Sequence, residues 1–127
     1  LMRLKSDLLD LVDAALDGRL DAAQADWDPR PALGVVLAAP GYPGPYAKGA
    51  RLARLPAGAL VDLKVFHAGT ALERGQVVAS GGRVVCVTGL GADVADARRR
   101  VYALTEALRF PGAHFRRDIG ARALAPR

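Results

Sequence analysis

The chain has 127 residues, one domain's worth, enough to bury roughly two thirds of its unfolded surface around a single core. It is 51% hydrophobic, yet no apolar run approaches the ~18 residues of a membrane span, which excludes a spanning helix. A single cysteine, Cys86, forbids an internal disulfide, and with no signal-peptide pattern in view the expected compartment is the cytoplasm.

The net charge of +5 is unevenly placed. From Arg98 onward eight arginines stand against Glu106 and Asp118, a net of +6, whereas residues 1–28 hold three bases and seven aspartates, a net of −4. Such asymmetry admits a nucleic acid, a phosphate-bearing substrate or a complementary neighbouring domain. The few aromatic residues are not interleaved with the arginines, so the stacking platforms of a single-strand binder are lacking and nucleic acid is disfavoured.

In chain order, Ser6 is placed to cap a helix over 6–17, in which Leu8, Leu9, Leu11, Val12, Ala15 and Leu16 recur at helical spacing. Asp7 and Asp10 suit its dipole and Gly18 its end. A polar stretch around Trp27-Asp28-Pro29 follows, and a domain boundary is expected near residues 20–31, dividing the chain into 1–30 and 31–127. Ala32 to Ala39 reads as a buried strand, ended by Pro40-Gly41-Tyr42-Pro43-Gly44-Pro45. Leu63 to His67 reads as a short strand. Gln76 to Ala79 and Arg83 to Thr88 read as two more, joined by a tight turn at Ser80-Gly81-Gly82 where glycine supplies positive φ. Thr88-Gly89-Leu90-Gly91 reads as a turn into a helix capped by Asp93, with Val94, Ala97, Val101, Leu104 and Leu108 on one face. Phe110-Pro111-Gly112 ends that helix, and a last strand-like segment carries Phe115 to Gly120. The fold class is α+β: a small, strongly curved antiparallel sheet or half-barrel packed by one long helix, plus an N-terminal helix.

Three polar segments on these apolar strands carry the candidate chemistry. Ser80-Gly81-Gly82-Arg83 offers backbone amides and a guanidinium to a phosphate or carboxylate, or is an ordinary turn with a solvated arginine. In His67-Ala68-Gly69-Thr70 the imidazole and the Thr70 hydroxyl suit a hydroxyl-rich ligand, or serve only the strand end. In Arg116-Arg117-Asp118 an extended backbone points Arg116 and Asp118 the same way and Arg117 the other, so Asp118 either orients a ligand-binding Arg116 or forms a surface ion pair with it. Arg98-Arg99-Arg100 fans around its helix as a solvated face. Cys86 reads as a core residue without a base partner. The only histidines are His67 and His114, and no carboxylate–histidine–cysteine cluster is visible, so neither a metal site nor a catalytic group is assigned to the chain.

Taken together with Arg3-Leu4-Lys5-Ser6-Asp7-Leu8, Leu33-Gly34-Val35-Val36 and Tyr42-Pro43-Gly44, these segments resemble, in order and approximate spacing over nearly the whole chain, the C-terminal domain of the phosphoribosylamine–glycine ligase family, enzymes of ATP-grasp architecture in purine synthesis. The resemblance implies that 1–30 ends the ATP-grasp domain and 31–127 is the C-terminal domain. It implies a reaction in which ATP activates glycine's carboxylate as an acyl phosphate that the amine of phosphoribosylamine then displaces. Mg (or Mn) would bridge the nucleotide phosphates through residues mostly outside this chain. His67, Gly69, Thr70, Ser80, Gly81, Gly82, Arg83, Arg116 and Asp118 would be the substrate-binding residues, holding phosphoribosylamine or glycine. The family's metal-binding acidic signature would precede Leu1, with the N-terminal and ATP-grasp domains as partners, and the chain by itself would be inactive. Pro40 stands where the family usually has glycine, which removes an amide from that loop. The competing expectation is a non-catalytic module that binds nucleic acid or protein through the basic C-terminal third.

Overall fold

The computed structural model describes residues 1–53 and 60–125. Its main sheet has three antiparallel strands, β1 (Ala32–Ala38), β2 (Leu63–His67) and β5 (Arg83–Leu90), in the order β1-β5-β2. A second antiparallel pair is formed by β3 (Thr70–Glu73) and β4 (Gln76–Ala79). Helix α1 (Leu8–Leu16) precedes the strands, and α2 (Val94–Ala107) and the short α3 (Ala121–Leu124) follow them. The class is α+β, but the strands divide between two sheets where one continuous curved sheet is expected.

β1 is not buried on both faces. Leu33, Val35 and Leu37 are buried while Ala32, Gly34 and Val36 are exposed, the two-residue alternation of a half-covered strand. On β5 the partners Val85, Val87 and Gly89 continue the covered face, and α2 packs against it through Ala97, Val101 and Leu104. Gly89 is glycine for space: a Cβ there would lie 2.9 Å from a Val101 methyl carbon. β5 runs through Leu90, so Thr88-Gly89-Leu90 belongs to the strand and not to a turn. Asp93 caps α2 as expected, its carboxylate accepting from the Asp96 N–H at 2.7 Å.

Other expectations are corrected. Asp7, not Ser6, caps α1, accepting from the Leu9 N–H at 2.8 Å, while the Ser6 hydroxyl accepts from the Asp26 N–H at 2.7 Å. The regular apolar spacing of α1 is not a core face, because Leu8, Leu9, Val12 and Leu16 are all exposed and only Ala14 is buried. Residues 115–120 form no strand. One bridge joins His114 to Ala38, after which the chain turns at Gly120, in the left-handed region at φ 80°, into α3.

The largest correction concerns Ser80-Gly81-Gly82. β4 and β5 do not pair with each other: β4 pairs with β3, and β5 with β1 and β2. Leu63–Glu73 and Gln76–Leu90 are the arms of one long hairpin whose tip is Arg74-Gly75, with φ of 48° and 75°. Both tip residues lie in the positive-φ region that a two-residue hairpin turn demands. The hairpin is bent midway, where Gly69 and Gly81 face each other.

Candidate functional site

The bend exists because two glycines let two backbones touch. A Cβ on Gly69 would stand 2.6 Å from the Gly81 Cα, and one on Gly81 would stand 2.9 Å from the Gly69 Cα. Neither has positive φ, so what glycine supplies here is close approach and not conformational freedom. The Gly69 carbonyl accepts from both the Ser80 N–H (2.8 Å) and the Gly81 N–H (3.1 Å), and the Gly69 N–H donates to the Arg83 carbonyl (2.8 Å). The Gly81 amide is therefore spent inside the fold and does not point outward as a free anion donor. The Gly82 amide has no hydrogen-bond partner among the described residues.

Beside the bend the β1–β5 register slips. Leu37 lies opposite Val85 but Ala38 lies opposite Arg83, which leaves Val84 as an extra residue. Such a bulge re-aims the side chains around it. Val84 and Val85 are consecutively buried and Arg83 is turned out. Arg83 emerges on an open groove of about 520 Å³, also lined by Val36, Tyr42, Gly69, Gly82 and Cys86. Among the described residues its guanidinium makes no ion pair. The two central segments thus meet, but by a bend and a bulge.

The remaining expected residues are elsewhere. The Thr70 hydroxyl lies 3.1 Å from His67 Nδ1, and His67 lines a different groove of about 630 Å³ with Arg51 and Gln76. Arg116 and Asp118 form a two-point ion pair (2.9 and 2.6 Å) on an exposed loop. Its hydrogen bonds from Arg116 hold the Asp118 carboxyl down at about 2, and the same contact raises Arg116. The loop is anchored to α2 by the Tyr102 hydroxyl, which donates to the Arg116 carbonyl at 2.7 Å and accepts from the Ile119 N–H at 3.1 Å. Arg116 and Asp118 pair with each other, and Arg117 turns away to Glu106 at 2.8 Å. Neither Arg116 nor Asp118 lines the Arg83 groove. Tyr42 and Cys86 do line it. Tyr42 had a sequence signal only in its Gly-Tyr-Pro loop, and Cys86 had none beyond strand periodicity.

The basic C-terminal third is largely engaged within the fold. Arg98 donates to the Ile119 and Arg117 carbonyls and lies 4.8 Å over the Tyr102 ring. Arg99 pairs with Asp96. Arg100 donates to the Leu90 and Val61 carbonyls and stands 3.6 Å from the Asp62 carboxylate. Arg109 pairs with Glu106 at 3.3 Å. Arg127 lies outside the described residues. A surface free to track a nucleic-acid backbone needs uncommitted cations, and of the described arginines from Arg98 onward Arg122 alone makes no hydrogen bond or ion pair among the described residues. No three His, Cys, Asp or Glu side chains among the described residues converge on a possible metal position. No helix among them is long and apolar enough to cross a membrane.

Residues 32–122 match the family model for the phosphoribosylglycinamide synthetase C domain. Over 125 residues the chain is 55% identical to the phosphoribosylamine–glycine ligase of Pseudomonas aeruginosa and 51% identical to that of Vibrio cholerae. These alignments cover 98% of this chain and 29% of each ligase, so the chain spans less than a third of the length of these relatives. The crystal structure of a phosphoribosylamine–glycine ligase from Thermotoga maritima superposes with a TM-score of 0.69 at 40% identity, over 86% of this chain and 27% of that one. With nearly the whole β-rich portion and α2 inside the matched range, the chain belongs to the phosphoribosylglycinamide synthetase C-domain family.

Proposed function

We propose that the chain serves as the C-terminal, substrate-side region of an ATP-dependent ligase that joins phosphoribosylamine to glycine in purine synthesis, a cytoplasmic enzyme. Residues 1–30 are read as the end of a preceding ATP-grasp domain and 31–127 as the C-terminal domain. Two observations support that division: the family match begins at Ala32, and α1 turns its apolar residues to solvent. Nucleotide and magnesium fall to the remainder of the ligase. This chain contributes a positioned positive charge, so its role is to hold and orient a substrate anion rather than to move protons.

The observation that carries the reading is Arg83, turned out by a bulge onto a groove beside the Gly82 amide and without an ion-pair partner among the described residues. A guanidinium in that position gives a substrate phosphate a charge-assisted, two-point contact. Of the other expected binding residues, Gly69, Gly81 and Ser80 act by shaping the bend. His67 and Thr70, and separately Arg116 and Asp118, are second candidates for contacts completed by the rest of the enzyme. An interaction module built on the basic C-terminal third is disfavoured, since most of the arginines it would rely on are engaged within the chain.

The test is a chimaera in which this chain replaces the matching part of the Pseudomonas aeruginosa ligase. Glycine-dependent phosphate release from ATP and phosphoribosylamine is expected, and Arg83→Ala is expected to raise the KM for phosphoribosylamine by about tenfold to a hundredfold. A chimaera that turns over equally well with and without Arg83 contradicts the site. One inactive with every substrate, while its fold is intact, contradicts the function.

A further inference from the structure

The Arg83 groove has a property that distinguishes between the two substrates of the proposed reaction. Among its lining residues there is one cation and no aspartate or glutamate. Glycine is a zwitterion, and its ammonium would find no carboxylate there. A sugar phosphate carries its charge at one end only and has a neutral, hydroxylated body.

The groove also contains a platform for that body. The Tyr42 ring lies directly on Gly82, so closely that a Cβ at Gly82 would overlap the ring carbons. The ring is steadied from the side by Tyr46, with centroids 6.4 Å apart in an edge-on arrangement. Its backbone is fixed by the Tyr42 N–H donating to the Ala39 carbonyl at 3.2 Å, and Ala39 in turn donates to the Gly82 carbonyl at 2.8 Å. The aromatic wall and the anion corner are therefore one unit, joined through residues 39 and 82. A cavity of about 520 Å³ is in the range that accommodates a small phosphorylated ligand.

Resting on the reading of this groove as the substrate anion site, we propose that it is the phosphosugar subsite, with the phosphate at Arg83 and the Gly82 amide and the sugar ring against Tyr42. Glycine binds elsewhere. Tyr42 acts as a specificity residue: it separates a pentose phosphate from a bare anion, while Arg83 serves both.

Cys86 is the single cysteine and lines the same groove, which provides a reporter. Alkylation of Cys86 by iodoacetamide is timed in this chain with ribose 5-phosphate, inorganic phosphate or glycine added. Half-maximal protection is expected at an about tenfold lower concentration of ribose 5-phosphate than of inorganic phosphate, with no protection by glycine. Tyr42→Phe should keep that preference, and Tyr42→Ala should erase it while leaving protection by inorganic phosphate in place. Gly82→Ala, which displaces the ring without removing it, is the second variant and should behave like Tyr42→Ala. Equal protection by the two phosphates in the parent chain, protection by glycine, or a preference that survives Tyr42→Ala overturns the proposal. If instead Arg83→Ala leaves every protection unchanged, the anion-site reading beneath it fails.

Discussion

Gly69 and Gly81 show how a residue can be conspicuous in a sequence for one reason and required for another. Glycines between two strands suggest a turn with positive φ, but neither residue has positive φ, and both are needed because a Cβ on either would overlap the Cα of the other. The obstruction is backbone, which cannot rotate aside as a side chain does. Gly81→Ala is therefore expected to destabilise the chain by about 1–3 kcal/mol, the usual cost of overpacking. Gly75→Ala, at the hairpin tip, meets no atom within 4 Å and costs only the strain of its φ of 75°. Urea denaturation of the two variants checks this, and a Gly81→Ala protein as stable as its parent would refute the close-packed bend. The true turn was harder to see because Arg74, a residue type with no special turn preference, occupies its first position.

At the scale of elements, periodicity located most strands and α2, because each presents one apolar face at a fixed spacing. It failed at β3, where Thr70 to Glu73 is only half-buried and mixes polar with apolar residues. It also failed at α1, whose spacing is helical but whose face is uncovered in this chain. Pairing was the least legible feature, since a bend and a bulge obey local backbone geometry that a pattern of side chains does not encode. The elements are tied at one end by a network also absent from the sequence pattern. Arg30 holds Asp28 (2.8 Å) before β1 and Asp62 (2.9 Å) before β2, while Arg100 on α2 approaches Asp62 at 3.6 Å. Hydrogen bonds from Arg30 lower the Asp28 carboxyl from 3.8 to about 2 and lower Asp62 as well. Because the folded-state values lie below the unfolded ones, the network's stabilisation is complete above pH ~4 and is lost as pH falls toward 2. Arg30→Met should lower Tm near neutral pH, and the difference from the parent should shrink between pH 4 and pH 2. A difference independent of pH would show that the ion pairs contribute nothing and that only packing was lost.

For the whole molecule, net charge is a poor guide to where an anion binds. The stretch from Arg98 onward holds eight of the 18 basic residues and a net charge of +6, but most of its described guanidinium groups brace carbonyls, carboxylates and aromatic rings of the same chain. Arg83, with few basic neighbours in sequence, stands on the groove. The resemblance to the ligase family was legible because it is carried by short motifs that follow one another along the sequence. The groove was not, because Tyr42, Gly69, Arg83 and Cys86 come together only through the bend, the bulge and the loop after β1. The most direct measurement is a titration of ¹⁵N-labelled protein with ribose 5-phosphate, read residue by residue. Saturable shifts at Gly82, Arg83 and Cys86, absent in Arg83→Ala, are the predicted result. Shifts confined to Arg98–Arg100 and Arg116–Gly120 would contradict it and place the anion on the basic third instead.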